Sequence, residues 1–153
     1  MANRVRKAKV SDVPAIKKLI DHYARKNIIL QRSLNDIYEN LRSFFVYTTP
    51  GGEIRGCCAL HIIWKDLGEI RSLAVDEHLT GEGVGSALLE AALLEAKDLG
   101  LEKVFTLTLS RDFFKNHGFR EVPKDTLPHK VWGWCLRCPK FPDCDEVAFV
   151  IDV

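Results

Sequence analysis

Apolar residues recur at helical spacing in three parts of the chain. The first part follows Ser11 and Pro14, which are typical of a helix N-cap and a first turn, and the second begins at Ser33. The third part, residues 86–99, is rich in Ala, Leu and Glu, which favour helix, and it ends before Gly100, a typical residue after a helix. The apolar positions of the first two parts are Ile16, Leu19, Ile20, Tyr23, Leu34, Ile37, Tyr38 and Leu41. The spacing predicts two amphipathic helices and one longer helix.

Runs of β-branched, aromatic and alternating residues predict the strands. Residues 44–48 and 53–64 flank a turn signal, Pro50-Gly51-Gly52, which predicts a hairpin. The remaining predicted elements are strands at 4–9, 69–75, 104–109 and 146–153, a short helix at 111–116 and mostly loop at 123–145. A strand–helix–strand crossover joins parallel neighbours. We therefore predict one α/β (α+β) domain over residues 1–153, with a mixed, mostly antiparallel sheet that contains one parallel crossover and is flanked by helices.

Composition narrows the class of protein. The chain has 153 residues, is 46% hydrophobic and carries a formal net charge of +1. Without a basic stripe, nucleic acid is excluded as the expected partner, and no apolar run reaches the length that crosses a bilayer. The alternating N-terminus lacks the apolar run of a secretory signal, so we expect a cytoplasmic protein. The sequence leaves a homodimer open.

A glycine-rich loop lies between the strand at 69–75 and the long helix. Gly81, Gly83 and Gly85 allow close approach of the backbone to a ligand, and the following helix N-terminus favours an anion such as a pyrophosphate. A tight turn without a ligand is the alternative. The loop is not a dinucleotide fingerprint, because Ser86 occupies the position of the third glycine, and it is not a P-loop, because no Lys-Ser or Lys-Thr follows.

This region resembles the GNAT superfamily of N-acetyltransferases. The resemblance is carried by EIRSLAVDEHLTGEGVGSALL, which begins at Glu69, and by FFKNHGF, which begins at Phe113. It implies the GNAT fold and acetyl-CoA as co-substrate, with the pyrophosphate on the loop backbone and the pantetheine arm paired to the strand. The residues that it assigns to CoA are Leu73, Ala74, Val75, Thr80, Gly81, Glu82, Gly83, Val84, Gly85, Ser86 and Phe114.

Three positions depart from the superfamily pattern. Thr80 stands where Arg or Gln is usual, and Glu82 places a negative charge beside a polyanion site, so its side chain should point to solvent. Phe113 and Phe114 occupy the region where a Tyr often acts as general acid. The thiolate must then be protonated by another group or leave without direct help.

Acetyl transfer requires a neutral amine, so it requires a base. Glu69 begins the strand that leads into the glycine loop, at a position where superfamily members often carry the base. The alternative is an exposed glutamate at a strand end. By resemblance, the Val75 N–H polarises the acetyl carbonyl, while His61, His78 and His117 are left without a role.

The rest of the chain resembles the stand-alone amino-acid N-acetyltransferases, or N-acetylglutamate synthases. The resemblance is carried by NIILQRSLNDIYE, GCCALHIIW, VFTLTLSRDFFKNHGF and LPHKVW. It implies acetylation of the α-amine of L-glutamate, the first step toward arginine. Arg32, Arg71 and Lys130 are the expected carboxylate ligands, because a guanidinium can hold a carboxylate in a bidentate fork. Alternatively these three are ordinary exposed cations.

Two other kinds of function remain open at this point. One is acetylation of a polyamine or a protein N-terminus, which the two arginines disfavour. The other is a non-catalytic CoA-binding regulatory module, because the tyrosine is missing and because Thr80 and Glu82 depart from the pattern.

The cysteines allow an alternative metal site. Cys135, Cys138 and Cys144 could bind zinc with His129 or Asp145, but only one C-x-x-C pair is present. We therefore expect no metal and three reduced thiols in a Cys/Pro-rich tail at residues 123–145. The resemblance to the synthases implies that this tail lies on the substrate side of the domain. Cys57 and Cys58 are adjacent on a strand, should face opposite ways and are not expected to form a disulfide.

Overall fold

A computed structural model describes residues 4–127 and 145–153 of the chain. Its strands are β1 Val5–Lys7, β2 Phe44–Thr48, β3 Ile54–Trp64, β4 Leu67–Val75, β5 Lys103–Thr108, β6 Arg120–Val122 and β7 Val147–Asp152. Its α-helices are α1 Val13–Ala24, α2 Leu34–Glu39, α3 Val84–Asp98 and α4 Arg111–Asn116. Short 3-10 helices lie at Val10–Asp12, Leu41–Ser43, Glu77–Leu79 and Lys124–Thr126.

The seven strands form one sheet in the order β1-β2-β3-β4-β5-β7-β6. Every neighbouring pair is antiparallel except β4 and β5, which are parallel and are joined by the α3 crossover. The predicted hairpin, the parallel crossover and the mixed sheet are confirmed. The crossover matters most for function, because it places the glycine-rich loop at the end of β4, beside the strand that follows it.

Helices cover both faces of the sheet, and the alternation of strand side chains divides the core accordingly. On one face, Leu88 and Ala92 of α3 pack with Cys58 and Leu60 of β3. On the other, α1 and α2 pack against the residues of alternate parity, such as Cys57 and Ala59. Cys57 and Cys58 are free, buried thiols on opposite faces, as predicted.

Several element boundaries differ from the sequence-based prediction. Ser11 was wrong as the helix cap, because it lies inside a 3-10 turn and Asp12 precedes α1. The Asp12 carboxylate accepts the Lys9 N–H at 2.7 Å and pairs with Arg6. Helix α3 begins at Val84 rather than residue 86, and β4 begins at Leu67 rather than residue 69.

One strand, β6, was not predicted. It has only three residues, and it pairs with β7 at the sheet edge, so tertiary pairing rather than local pattern determines it. Ser33 does cap α2, since its hydroxyl accepts the Asp36 N–H at 3.0 Å, and Gly100 follows α3 with a φ of 87°. No helix among residues 4–127 and 145–153 is long and apolar enough to cross a membrane.

Candidate active site

A cavity of about 940 Å³ opens where β4 and β5 part. The two strands pair only from Leu67 to Glu69, after which they diverge. At the point of divergence the Thr106 hydroxyl donates to the Ile70 carbonyl at 3.0 Å. The cavity therefore passes through the sheet, with the α3 side at one end and the α1/α2 side at the other.

A bulge in β4 widens this opening. Cys57 faces Ala74 and Ala59 faces Arg71, so three steps along β4 oppose two steps along β3. The extra residue is accommodated at Ser72, which adopts a left-handed φ of 55° that a non-glycine residue rarely takes. Strained backbone of this kind is concentrated at functional sites.

The first end of the cavity is built from the glycine-rich loop and the start of α3. Gly83 caps α3 in the left-handed region, with φ at 82°, and the first N–H groups of the helix have no intrahelical acceptor. Gly81, Gly83, Val84, Gly85 and Ser86 all line the cavity. This arrangement provides backbone donors and a helix dipole for a phosphate group.

The two unusual side chains of the loop lie at its surface. Glu82 is exposed and is not among the described residues that line the cavity, as expected for a carboxylate beside an anion site. Thr80 is also exposed, and its hydroxyl donates to the Glu77 carbonyl at 2.9 Å. Thr80 lines the cavity and Glu82 does not, so the loop presents mainly its backbone to the cavity.

Beyond the loop, β4 offers its edge to the cavity. Leu73, Ala74 and Val75 line it, and within the described part of the chain this stretch of β4 pairs with β3 alone. An extended ligand can therefore pair with this edge as a strand would. The Tyr23 hydroxyl donates to the Val75 carbonyl and fixes the end of the strand to α1.

Helix α4 closes the same end of the cavity. Phe113 lines it and lies against Gly85, while Phe114 is buried, with 3% of its surface exposed. The Ser86 hydroxyl lies 2.8 Å from His117 Nε2, whose Nδ1 lies 2.7 Å from the Phe113 carbonyl. Because a carbonyl only accepts, Nδ1 carries a proton and the short helix is tied to the start of α3.

Glu69 lies at the point where the strands part, facing away from α3. It is 6% exposed, and Arg71 donates to its Oε1 from Nε at 2.6 Å. Burial raises the pKa of the Glu69 carboxyl above its ordinary value, although the Arg71 charge acts in the opposite direction. A carboxylate with a raised pKa inside a cavity is suited to act as a base near neutral pH.

Arg32, the residue before the α2 cap, lies on the same wall of the cavity as Glu69 and Arg71. It is 7% exposed, and its Nε and Nη2 donate to the two Asp36 oxygens at 2.8 and 3.0 Å. Its Nη1 donates to His61 Nε2 at 3.0 Å and to Ser72 Oγ at 3.3 Å. Since a guanidinium has five N–H groups, one Nη2–H is left over within the described part of the chain.

The structure thus brings Glu69, Arg32 and Arg71 together, as the sequence predicted, but with a different use of Arg32. Its fork is already occupied by Asp36, and hydrogen bonding to Arg32 lowers the pKa of that carboxyl. Lys130 and the three cysteines Cys135, Cys138 and Cys144 lie outside the described residues. Among residues 4–127 and 145–153, no group of three metal-ligating side chains is found.

Sequence reasoning missed several residues of the cavity. Those with polar side chains are Tyr23, Gln31, Asp36, Ser72, Thr106, Thr108, Ser110, Lys124 and Glu146, and His61 contacts Arg32 from behind the cavity wall. Asp36 had a usable signal, because Ser33-x-x-Asp36 matches the spacing of a capping box and places Asp36 beside Arg32. Thr108 and Ser110 follow from the chain path after β5, which a sequence pattern does not reveal.

Comparisons with known proteins agree with this geometry. The model of the acetyltransferase (GNAT) family matches residues 15–119. The chain is 49% identical over 135 residues to an amino-acid acetyltransferase of Mycobacterium tuberculosis, and this alignment covers 87% of this chain and 77% of that protein. A crystal structure of a protein from the same organism, in complex with CoA, superposes with a TM-score of 0.84 at 38% identity and covers 97% of this chain and 98% of that one.

A longer protein contains the same domain. The structure of N-acetylglutamate synthase from Neisseria gonorrhoeae, complexed with coenzyme A and N-acetyl-glutamate, has a TM-score of 0.84 at 26% identity. The alignment covers 97% of this chain but 34% of the synthase. Together with the cavity and its loop, these matches show that the chain belongs to the GNAT family, has its fold and is an acetyltransferase that uses acetyl-CoA.

Proposed function

We propose that the chain transfers the acetyl group of acetyl-CoA to the α-amine of an acidic amino acid, with L-glutamate as the acceptor. The observation that carries this proposal is the wall beside Glu69, where Arg32 and Arg71 both line the cavity. Two guanidinium groups, Arg32 buried and Arg71 half-buried, suit a substrate that brings carboxylates and disfavour a polycation. The relatives named above support the same interpretation. The reaction would then be the first step toward arginine.

In the proposed arrangement, the two ends of the cavity hold the two substrates. The loop backbone at Gly81–Gly85 holds the pyrophosphate, with Thr80, Glu82 and Ser86 at its border, and Phe114 packs beneath. The pantetheine arm pairs with the edge of β4 at Leu73, Ala74 and Val75, which carries the thioester through the sheet. The acceptor enters from the α1/α2 side and meets the thioester beside Glu69.

The chemistry then follows from the position of Glu69. Its carboxylate takes a proton from the acceptor ammonium, directly or through one water. The neutral nitrogen attacks the acetyl carbonyl, whose oxygen is stabilised by the Val75 N–H, and the C–S bond breaks as the amide forms. The CoA thiolate leaves and takes up the second proton that the nitrogen loses as the amide forms, directly or through water. Phe114 offers none, while the Thr108 and Ser110 hydroxyls line the cavity near this point.

The arginines differ in what they can offer the acceptor. Arg71 pairs with Glu69 through Nε and Nη2, both at 2.6 Å from Oε1, and lines the cavity beside the base. Arg32 contributes one Nη2–H and a fixed charge rather than a full fork. Lys130 remains a proposed third ligand from the sequence alone.

The test is release of free CoA thiol from acetyl-CoA with a panel of acceptors. The panel contains L-glutamate, L-aspartate, L-glutamine, spermidine and a short peptide with a free N-terminus. We expect turnover with glutamate to exceed the others by at least tenfold in kcat/KM. Preference for spermidine or the peptide would overturn the acceptor but not the acetyltransferase activity. CoA binding without turnover on any acceptor would favour a regulatory module.

A further inference from the structure

We propose that His61 is a positioning residue that fixes Arg32 toward the acceptor and thereby helps the enzyme to distinguish a carboxylate from an amide side chain. The inference rests on the proposed function, because it assumes an acidic acceptor. It concerns a residue that makes no proposed contact with either substrate.

The topology places His61 at the centre of the charged wall. His61 on β3 pairs in register with Glu69 on β4, and Leu60 beside it packs under α3, so His61 projects to the same face as Glu69. Only 8% of His61 is exposed. Its Nε2 lies 3.0 Å from Arg32 Nη1, with Ser72 Oγ as the second acceptor of that nitrogen.

The direction of this hydrogen bond is fixed by the chemistry of its partners. A guanidinium only donates, so His61 Nε2 must be the acceptor and the ring proton lies on Nδ1. The ring is therefore neutral. Burial, together with the charges of Arg32 and Arg71, lowers the pKa of His61 to about 3, so the ring stays neutral throughout the working range of pH.

A neutral hydrogen-bond acceptor such as the His61 ring has a specific advantage at this position. Arg32 is already paired with Asp36, and Arg71 with Glu69, so each of these two cations has a carboxylate partner, while Lys124 and Glu146 line the same cavity. A third carboxylate in the place of His61 would add a negative charge facing an acidic acceptor. Imidazole instead supplies a lone pair without a charge, which fixes Nη1 and keeps the wall attractive to a carboxylate.

This arrangement leaves Arg32 little freedom. Asp36 fixes one edge of the guanidinium, and His61 and Ser72 fix Nη1, so α2, β3 and β4 together determine where the remaining Nη2–H points. A small rotation of the guanidinium would move that donor away from the cavity. Loss of the His61 contact should therefore change acceptor selection while leaving the acetyl-CoA end intact.

Three substitutions of matched size separate the parts of this argument. His61→Gln keeps a neutral hydrogen-bond acceptor, the amide oxygen, near the position of Nε2. His61→Asn keeps an amide only near the position of Nδ1, out of reach of Arg32. His61→Glu reaches Arg32 but carries a charge. The measured quantity is the ratio of kcat/KM for L-glutamate to kcat/KM for L-glutamine. We expect His61→Gln to stay within about threefold of the wild-type ratio, His61→Asn to lower it about tenfold and His61→Glu to lower it further, with KM for acetyl-CoA within twofold.

The same substitution made in an Arg32→Met chain distinguishes a positioning role of His61 from a general loss of structure. If His61 acts through Arg32, His61→Asn should not change the ratio further in an Arg32→Met chain. A full tenfold effect in that background would overturn the inference, as would an unchanged ratio in both His61→Asn and His61→Glu.

The failure of the proposed function has a separate signature. A wild-type ratio near one would remove the preference for an acidic acceptor and this role of His61 with it. A wild-type ratio well above one that no His61 variant alters would remove only the role of His61. Should His61→Glu not fold, the His61→Gln and His61→Asn pair decides the matter alone, because both are neutral.

Discussion

The two ends of the cavity are built in different ways. The CoA end is centred on one continuous stretch of chain, from Thr80 to Ser86, which contributes mainly backbone: N–H groups at the start of α3 and left-handed glycines. The edge of β4 and Phe113 of α4 complete this end. The acceptor end is assembled from side chains that are distant in sequence. Arg32 precedes α2, His61 belongs to β3, and Glu69 and Arg71 belong to β4.

This contrast explains which sequence changes each end tolerates. Thr80 and Glu82 depart from the superfamily pattern, yet both are exposed and leave the loop backbone unchanged. At the acceptor end each side chain is the hydrogen-bond partner of another, so one substitution leaves a buried partner unmatched. Single substitutions should therefore have larger effects at the acceptor end than in the glycine-rich loop.

The largest expected effect follows from loss of the base. Glu69→Gln should lower kcat by roughly 10²- to 10⁴-fold, because a positioned general base contributes about that much. Binding of acetyl-CoA, measured by calorimetry, should be unchanged. The matched control is Glu90→Gln, since Glu90 is exposed on α3. A kcat for Glu69→Gln within threefold of wild type would remove Glu69 as the base.

The raised pKa of Glu69 also predicts a pH dependence. Only the ionised carboxylate is a base, so kcat/KM should fall as pH falls through a pKa above the ordinary glutamate value. The contribution of Glu69 to folding stability depends on pH with the opposite sign. Protonated Glu69 is favoured in the fold, so this contribution is present below the unfolded pKa and is lost as pH rises through the folded pKa. The Tm of Glu69→Gln relative to wild type should therefore increase with pH, and a relative Tm that decreases would contradict this account.

Arg71 tests whether the acceptor end acts as one unit. Arg71→Met keeps most of the side-chain length but removes the charge, so KM for glutamate should rise about tenfold or more while KM for acetyl-CoA stays within twofold. Arg71 also lowers the pKa of Glu69, so its loss should move the acid limb of kcat/KM to higher pH. Equal changes in both KM values, or an acid limb that does not move, would count against this coupling.

The same contrast shows what a sequence can predict. The glycine-rich loop, α3 and the crossover were predictable because their signals are local: glycines, helix formers and strand patterns within one stretch. Glu69 was expected from the family resemblance, and Arg71 because it is a cation two residues along the same strand. His61 did not, because its role depends on the register that sets it opposite Glu69 and on a bulge that turns Ser72 toward Arg32. Asp36 was missed for a similar reason, since a helix cap alone does not say what else the carboxylate holds.

A smaller effect is expected in the loop backbone. Gly83 and Gly52 have nearly the same left-handed φ, 82° and 86°, and at both positions an added Cβ would meet no atom of the described residues within 4 Å. Alanine at either position should therefore destabilise the fold by about 1 kcal/mol through backbone strain alone. Only Gly83→Ala should raise KM for acetyl-CoA, by roughly fivefold, because Gly52 lies in the β2–β3 turn. Equal KM values in the two variants would remove the loop from the CoA site.

The smallest effect should come from restoring the residue that is usual at position 80. Thr80 is exposed and lines the border of the cavity, so an arginine there would make a solvent-exposed ion pair with the pyrophosphate. An exposed ion pair is worth about 0.2–1 kcal/mol, so Thr80→Arg should lower KM for acetyl-CoA by roughly two- to fivefold, and less at high salt. Thr80→Met has similar length without the charge and should leave KM unchanged. A tenfold or larger, salt-resistant gain would mean that side chains matter as much at this end as at the other, and the contrast between the two ends would no longer hold.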